Sequence, residues 1–331
     1  MSDRMRLGIE IGGTKLQLGL GRGDGTIRAI ERRTVVAGEG AEGIRKQILD
    51  AYPRLLDRCG LDRSDVEAAG VGFGGPVDAA TGVTTTSHRI EGWNGFPLAE
   101  WVRNELGPPR VVVENDADTA GLGEARFGAG VGFSPVLYLT IGSGIGGGLI
   151  INGKIYRGAG AGAIEIGHIW VIDRSGSDMG VVTLEDAASG WAISDSARAF
   201  ASHLSPEERA EWSVVRLAGG DPSAIETRHI AQAARDGDRE AQLLLARAVH
   251  AMTNGLAQAV TLIAPRRIIL GGGVSLIGED LWLEPIRRQL NAAVFPPFRG
   301  TFDLVGAALG EDVVVHGALA LAHDAAANGA G

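Results

Sequence analysis

The feature that most restricts the fold of this chain is a hairpin with a glycine turn, which occurs twice. In "GIEIGGTKLQLGL" (residues 8–20), two runs that alternate apolar and polar residues flank Gly12 and Gly13. In "LTIGSGIGGGLII" (139–151), a second glycine turn separates two further apolar runs. Alternation with a period of two indicates strands, and glycine accommodates the tight turn between them. Similar patterns follow each hairpin, which predicts two similar βββαβ halves.

The rest of the pattern predicts an α/β protein of two domains. Strand-like runs such as "VEAAGVGFGG" and "RRIILGGG" end in glycines, and helix-like runs lie between them. We expect residues 184–200 to form one helix. A length of 331 residues exceeds one ordinary core. Two such domains leave a cleft where the strand ends converge, and ligands bind at such edges.

Charge and cysteine content exclude several classes of protein. The formal net charge is −9 and no long run of Lys or Arg occurs, so we expect no nucleic-acid partner. The single cysteine, Cys59, excludes an internal disulfide and predicts a reducing, cytoplasmic location. The N-terminal "MSDRMRLGIE" lacks the apolar core of a signal peptide. No apolar run is long enough to span a bilayer, so we expect no membrane partner.

The first glycine turn allows two interpretations. A P-loop requires Lys directly after Gly and then a helix, whereas here Thr14 separates Gly13 from Lys15 and a strand pattern follows. The turn is therefore not a P-loop. The backbone N–H groups of a glycine turn, together with the Thr14 hydroxyl, can still bind phosphate. A plain hairpin turn explains the same residues, and this stretch alone leaves both interpretations open.

A carboxylate follows the β-branched run "VVVEN" (111–115). Asn115 and Asp116 lie where a buried strand ends and a helix begins. Asp116 fits a helix N-cap. It also fits a general base that accepts the proton of an acceptor hydroxyl during phosphoryl transfer. The two roles are compatible. Asp118 is a weaker candidate, because we expect it on the exposed surface of the helix.

Further candidates lie in the second half. "GSGIGGG" contains a literal GxGxxG, but a hairpin follows it instead of a helix, which excludes a dinucleotide fingerprint. "LGGGVS" (270–275) is a third glycine turn, which an ordinary strand–helix connection also explains. His168 fits either a hydrogen-bonded core histidine or a ligand, and Glu185 fits either a solvated helix face or a ligand. Together, the three turns and these side chains suit a nucleotide and a polyol.

In chain order, these stretches resemble the ROK family of bacterial sugar kinases and sugar-responsive repressors. The resemblance rests on "GIEIGGTKLQLGL", "VGFGGPVD", "VVVENDADTAGLGEARFG", "LTIGSGIGGGLIINGKIYRGAGAGAIEIGH", "LEDAASG" and "ILGGGVS". It implies two ribonuclease-H-like domains of the actin/hexokinase-type ATPase fold with an interdomain cleft. We expect a small domain of residues 1–115 plus 312–331, onto which the C-terminal helix packs. Residues 116–311 are then a large domain with the sugar and nucleotide sites.

The resemblance also implies an ATP-dependent hexose kinase, as a homodimer, and gives roles to individual residues. Asp116 is then the catalytic base, and Asn115 is its neighbour on the sugar. The other residues that hold sugar hydroxyls are Glu165, His168 and Glu185. The residues that cradle the phosphates are Gly13, Thr14, Gly142, Ser143 and Gly144. Lys15 belongs to the same motif, although its side chain also fits a structural role, and Gly272 and Gly273 flank the nucleotide.

The chain departs from the family pattern at two positions that concern metals. Glu10 stands where the family more often has an Asp that holds Mg²⁺ through water, and the longer side chain can still reach. No cysteine follows His168, where many members carry a zinc-binding cysteine cluster. Structural zinc sites need mostly thiolate and imidazole ligands, so we expect no structural zinc.

A third departure concerns the sugar. In the segment 84–98, glucokinase-like members have Pro-Asn-Leu, whereas this chain has Ser87, His88, Trp93 and Asn94. The segment is either an ordinary rim loop with a buried Trp or part of an altered sugar pocket. Pockets that hydrogen-bond their substrate discriminate strongly between hydroxyl patterns. The sequence therefore predicts glucose or a related hexose without choosing between them.

The same family offers two other functions. Its repressors carry an N-terminal helix-turn-helix, whereas here the first strand begins near Met5, so we expect no DNA-binding segment. The acidic net charge agrees with that expectation. The other alternative is a regulatory protein that binds sugar without catalysis. It is disfavoured because every proposed catalytic position is filled.

Overall fold

The computed structural model of the protein describes residues 4–85, 90–159, 162–173 and 180–328. The strands are β1 (Met5–Ile11), β2 (Lys15–Gly21), β3 (Ile27–Thr34), β4 (Val66–Phe73), β5 (Val77–Asp78), β6 (Val83–Thr84), β7 (Val111–Asn115), β8 (Val136–Ile141), β9 (Ile145–Ile151), β10 (Lys154–Ile155), β11 (Trp170–Asp173), β12 (Gly180–Thr183), β13 (Arg267–Gly271) and β14 (Asp303–Gly306). The helices are α1 (Gly40–Cys59), α2 (Leu98–Leu106), α3 (Asp116–Phe127), α4 (Leu184–Ala188), α5 (Gly190–His203), α6 (Pro206–Glu211), α7 (Ser213–Leu217), α8 (Thr227–Arg235), α9 (Arg239–Ile263), α10 (Glu284–Ala293) and α11 (Val313–Asn328).

The chain divides into two compact units. The first comprises Met1–Tyr138, Gly148–Ile164 and Ala307–Gly331, and the second comprises Leu139–Gly147 and Glu165–Gly306. Helix α3 packs against α11 and lies with it in the first unit. The domain limits expected from the sequence, 1–115 plus 312–331 and 116–311, stay a prediction.

Two five-stranded sheets have matching strand orders. The first sheet has the order β3-β2-β1-β4-β7, and the second has the order β10-β9-β8-β13-β14. In the first, β1 pairs antiparallel with β2 and parallel with β4, and β4 pairs parallel with β7. In the second, β9 and β10 are antiparallel and β13 and β14 are parallel. The matching orders confirm the prediction of two similar halves that each begin with a hairpin.

The C-terminal helix α11 packs directly on the first sheet and on α3. A Cβ atom on Gly70 of β4 would lie 2.0 Å from the Ala318 carbonyl oxygen of α11. A Cβ atom on Gly317 would lie 1.7 Å from the Thr119 carbonyl oxygen of α3. Such distances are far shorter than van der Waals contact, so only glycine permits this approach of the backbones. The close packing fixes α3, the helix that begins at Asp116.

One predicted helix is wrong. Residues 184–200 form two helices, because Ser189 between α4 and α5 is extended, with φ −71° and ψ 163°. The Ser189 hydroxyl accepts a hydrogen bond from Ala192 N at 3.2 Å and so caps α5. A serine whose hydroxyl caps the following helix competes with a continuous helix. Because α5 begins at Gly190, the N–H group of Gly190 has no acceptor within α5 and can donate to a residue outside the helix.

The helices of the described residues include none that is both long and apolar enough to cross a membrane.

Candidate active site

The first glycine turn is closed by its own backbone. Gly12 N donates to Lys15 O at 2.9 Å, and Val35 N donates to Thr14 O at 2.9 Å. Gly13 is half-buried and Thr14 is exposed. Both strands that flank the turn belong to the first sheet. The structure therefore confirms a hairpin at this position, and it leaves the Thr14 side chain accessible to a ligand.

Glu10 lies just before this turn in a small polar cluster. Glu10 is 8% exposed. Gln17 Nε2 donates to Glu10 Oε2 at 2.7 Å, and Lys15 Nζ lies 3.2 Å from Glu10 Oε1. Both Lys15 and Gln17 also donate to the Glu311 carbonyl oxygen at 2.8 Å. Burial raises the pKa of Glu10, and the Lys15 charge and the Gln17 hydrogen bond act in the opposite direction. The Lys15 ammonium group thus contacts both the Glu10 carboxylate and the Glu311 carbonyl oxygen, which is a structural role.

Asn115 and Asp116 have separate roles at the start of α3. Asn115 Oδ1 accepts hydrogen bonds from Ala117 N at 2.9 Å and Asp118 N at 3.4 Å, so Asn115 is the N-cap. Its Nδ2 donates to Gly75 O at 3.2 Å. The prediction that Asp116 caps the helix is wrong, because the helix begins at Asp116 and the cap precedes it. Asp118 is buried, so its predicted place on the helix surface is wrong too.

Gly74 brings Asp116 close to the first hairpin. A Cβ atom on Gly74 would lie 3.3 Å from Asp116 Oδ2 and 3.4 Å from Gly12 Cα. Gly74 N also donates to Ile11 O at 2.8 Å. The half-buried Asp116 carboxylate therefore lies beside the same residue as the glycine turn. Both lie at the end of the sheet where β1 gives way to its turn and the parallel strands β4 and β7 end.

An ion pair between the buried Glu114 and the exposed Arg157 was not anticipated from the sequence. Glu114 of β7 is 3% exposed, and its Oε1 accepts from Arg157 Nε at 2.7 Å. Arg157 Nη2 donates to the same oxygen. Because the side chains of a strand alternate, Glu114 points away from the face on which Asn115 lies. The only local signal is the position of Glu114 within the buried strand "VVVEN". That position does not identify Arg157 as the partner.

In the second unit, the glycine turn after β8 is held by hydrogen bonds to residues after β12. Gly142 N donates to Gly144 O at 2.9 Å, and Gly190 N donates to Gly142 O at 2.8 Å. Ile145 N donates to Glu185 Oε2 at 2.7 Å. Gly142, Ser143 and Gly144 are half-buried. Glu185 is half-buried and hydrogen-bonded, so it does not lie on a solvated helix face.

The third glycine turn packs beside the same turn. Gly272 has φ +82°, and a Cβ atom on it would lie 2.5 Å from Ile141 O. Gly272 and Gly273 are exposed. The positive φ and the missing side chain allow this close approach to Ile141, the residue before Gly142. Two of the three turns predicted to contact the nucleotide therefore meet within the second unit.

Glu165 and His168 also lie near Ile145. Glu165 precedes a 3₁₀ turn, Ile166–His168, that ends at His168, and His168 N donates to Glu165 O at 3.0 Å. A Cβ atom on Gly167 would lie 2.3 Å from Ile145 O. Glu165 and His168 are both exposed, so a core role for His168 is wrong. Ile164 precedes Glu165 with φ +62°, which is unusual for a β-branched residue and typical of functional sites.

Trp93 of the segment 84–98 is a core residue. It is 1% exposed and makes edge contacts with Phe73 at 5.4 Å and Phe96 at 5.3 Å between ring centroids. The Arg45 guanidinium lies 4.6 Å from the Phe96 centroid. Asn94 is exposed. Ser87 and His88, the other two residues singled out in this segment, lie outside the described residues.

Metal sites built wholly from the protein are not found in the described parts of the chain, where no three His, Cys, Asp or Glu side chains are grouped to hold an ion. Glu10 offers carboxylate oxygens, the donor type that Mg²⁺ prefers, and Mg²⁺ commonly uses one or two carboxylates together with water and substrate phosphates. The donor chemistry of Glu10 therefore fits the Mg²⁺ of a phosphoryl-transfer site.

Two mixed sheets of the same strand order, each with a hairpin at its start, define a protein of the actin/hexokinase-type ATPase fold. Within that class, the model of the ROK family matches residues 6–325, and this chain belongs to the ROK family.

Similar proteins include several glucokinases. The glucokinase of Thermotoga maritima is 32% identical over 321 residues, which cover 95% of this chain and 96% of that protein. The glucokinase of Streptomyces coelicolor is 34% identical, with coverage of 97% and 98%. The crystal structure of a ROK family glucokinase from Streptomyces griseus in complex with glucose and AMPPNP has a TM-score of 0.79 at 34% identity. The match covers 97% of this chain and 99% of the Streptomyces griseus chain.

Proposed function

We propose that this chain is an ATP-dependent kinase that phosphorylates a hydroxyl group of a hexose, with Asp116 as the general base. The observation that carries the proposal is the position of Asp116, where its Oδ2 lies beside Gly74 and the turn of the first hairpin. The resemblance to glucokinases, one of them bound to glucose and AMPPNP, supports a hexose and ATP as the substrates.

The proposed reaction assigns one step to each group of residues. Glu165, His168 and Glu185, together with Asn115, bind the hydroxyl groups of the hexose and orient one of them toward Asp116. Asp116 accepts the proton of that hydroxyl while the hydroxyl oxygen bonds to the γ-phosphorus. The bond between the γ-phosphorus and its bridging oxygen breaks, and ADP leaves with the electrons of that bond. Exclusion of water protects the phosphoryl group from hydrolysis.

The nucleotide is bound mainly by backbone N–H groups in this proposal. Gly13, Thr14, Gly142, Ser143 and Gly144 cradle the phosphates, Gly142 by shaping the turn, because its own N–H group donates to Gly144 O. Gly272 and Gly273 flank the nucleotide. Backbone amides suit this task in a chain of net charge −9, because they bind anions without added positive residues. Mg²⁺, held by Glu10 through water, would neutralise charge on the phosphates.

The test is a panel of hexoses and amino sugars assayed for ADP production with Mg·ATP. We expect turnover with at least one hexose and the highest kcat/KM for glucose. Sugar binding without turnover for any member of the panel would instead support the non-catalytic alternative. The proposal extends to a homodimer, which sedimentation would test, and to a cytoplasmic location.

A further inference from the structure

The turn at Gly142–Gly144 is fixed by residues that lie more than forty positions later in the chain. Glu185 accepts from Ile145 N at 2.7 Å at one end of the turn, and Gly190 donates to Gly142 O at 2.8 Å at the other. Glu185 lies in α4 and Gly190 begins α5, on either side of the α4–α5 junction at Ser189. The conformation of the turn therefore depends on this junction as well as on its own glycines.

Glu185 lies directly against the turn. A Cβ atom on Gly144 would be 2.3 Å from Glu185 Oε2, so only glycine leaves room for the carboxylate there. The Oε2 atom is the one that accepts from Ile145 N. A carboxylate offers two oxygens and about four acceptor positions. Glu185 can therefore hold Ile145 through Oε2 and accept a hexose hydroxyl through Oε1.

The turn that carries Glu165 and His168 contacts Ile145 from another direction. Gly167 packs on Ile145 O, and Glu165 and His168 flank Gly167. Ile145 itself is 6% exposed and cannot move without disturbing its neighbours. Its N–H group is bonded to one residue of the proposed sugar site, and its carbonyl contacts the turn that carries the two others.

We infer that Glu185 is a positioning residue that couples the hexose to the phosphates of ATP through Ile145. The inference rests on the proposed function. A hexose bound to Glu185 fixes its side chain, and the fixed carboxylate orders the phosphate turn before the nucleotide arrives. The ordering of one side chain is then shared by two ligands, which makes their binding cooperative. Side-chain ordering of this size corresponds to a coupling of about five- to tenfold.

The coupling is measured by titrating Mg·AMPPNP calorimetrically into the full chain, with and without saturating glucose. We expect glucose to tighten AMPPNP binding of the wild type about five- to tenfold, and AMPPNP to tighten glucose binding by the same factor, because coupling is reciprocal. Glu185→Ala removes the acceptor of Ile145 N–H. It should weaken AMPPNP binding several-fold even in the absence of glucose and remove the coupling.

Two further variants separate this role from simple sugar binding. Glu185→Gln retains an oxygen that can accept from Ile145 N, so it should keep the wild-type affinity for AMPPNP while its affinity for glucose falls. Glu165→Gln should likewise weaken glucose binding and leave the affinity for AMPPNP in the absence of glucose unchanged. If Glu185→Ala does not fold, Glu185→Asp, which is one methylene shorter, should show the same loss.

Each outcome has one meaning. A Glu185→Ala or Glu185→Asp protein that folds and binds AMPPNP alone as tightly as the wild type would overturn the inference and leave the kinase proposal intact. Equal AMPPNP affinities of the wild type with and without glucose would also overturn it. A wild-type protein that binds neither AMPPNP nor glucose would overturn both proposals.

Discussion

Asn115 caps the helix that begins at Asp116, so the cap and the proposed base are adjacent residues with separate tasks. The Asn115 side chain accepts from Ala117 N at 2.9 Å and donates to Gly75 O at 3.2 Å. Its amide therefore bonds to the backbone at the start of α3 and just after β4. The Nδ2 atom carries a second hydrogen, which the proposed hexose contact would use. Asp116 is held in place by this cap without itself having to satisfy the N–H groups of the helix.

Asp116→Asn is the direct test of the base. The amide keeps the size of the carboxylate but cannot accept the proton, so kcat on the best hexose should fall about 10²- to 10⁴-fold. The melting temperature should change little, because Asn115 provides the cap. Affinity for the hexose should fall far less than kcat. A variant with nearly wild-type kcat would remove Asp116 as the base.

Asn115→Ala is the complementary variant. Loss of an N-cap typically costs about 1 kcal/mol of stability, and we expect that loss in urea denaturation. The assignment of the cap to Asn115 would be contradicted if Asn115→Ala were as stable as the wild type while Asp116→Ala were less stable. Comparison of the two variants separates the structural task from the chemical one.

Local signals were sufficient for the hairpins and for most elements. The glycine turn between β1 and β2 follows from the residue types themselves. So does the turn at Asn152 and Gly153 between β9 and β10, where φ is +52° and +73°. The break at Ser189 was missed because the pattern on either side of it is helical. The capping residue was misplaced because Asn115 and Asp116 are both good caps and differ by one position.

The contacts that build the site were beyond local reasoning. Glu124 in "GLGEARFG" of α3 is fully buried, and Ala308 and Leu309, far later in the chain, donate hydrogen bonds to it. The bond of Glu185 to Ile145 joins positions 40 residues apart. Glycine turns and carboxylates identified the candidates, but which carboxylate bonds to which turn depends on tertiary packing.

Glu124→Gln should destabilise the protein strongly. Glu124 Oε1 accepts from Ala308 N and Leu309 N, both at 2.8 Å, and Oε2 accepts from Ala129 N at 2.7 Å. An amide must turn its NH₂ group toward one of these N–H donors. A hydrogen bond to a buried charged group is worth about 1.5–3 kcal/mol, so we expect a loss of that order in urea denaturation.

The matched control is Glu105→Gln, at an exposed position. That change should alter the free energy of unfolding by less than about 0.5 kcal/mol. Equal stabilities of the two variants would show that the three N–H donors do not depend on the Glu124 charge.

Gly317→Ala tests the packing of α11 on α3. The added Cβ would lie 1.7 Å from the Thr119 carbonyl oxygen, so the two helices must separate. Overpacking costs about 1–3 kcal/mol or more. Higher helix propensity returns only about 1 kcal/mol. The variant should therefore be less stable, whereas Gly38→Ala, where nothing lies within 4 Å of the new atom, should not be. A stabilised Gly317→Ala protein would contradict this packing.

The absence of structural zinc stays a prediction, and metal analysis can test it. The only cysteine is Cys59, which is buried in the first unit's core. Purified, untagged protein should contain well under one zinc per chain, because His168 has no thiolate partner. Stoichiometric zinc that survives dialysis, and whose removal by a chelator lowers the melting temperature, would show that other ligands replace the cysteines.

His316 of α11 should make the protein less stable in mild acid. Burial lowers its pKa below the usual 6.5, although the charges of Asp312 and Glu124 and the backbone of Gly25 act in the opposite direction. The unfolded chain therefore takes up a proton at a higher pH than the folded protein does. Unfolding then binds protons, and the free energy of unfolding falls as the pH drops below about 6.5. Above that pH, His316 is neutral in both states and contributes no pH dependence.

The measurement compares the melting temperatures of the wild type and His316→Gln from about pH 5 to about pH 8. Glutamine does not titrate, so the variant should lose less stability than the wild type between pH 6.5 and the folded pKa. The absolute melting temperature of the variant also reflects lost packing, including the contact of His316 with Phe127 at 6.2 Å between ring centroids. The titration of His316 is therefore measured by how the difference in melting temperature between the wild type and His316→Gln changes with pH. A difference that stays constant across the range would show that His316 binds its proton equally well in the folded and unfolded chains.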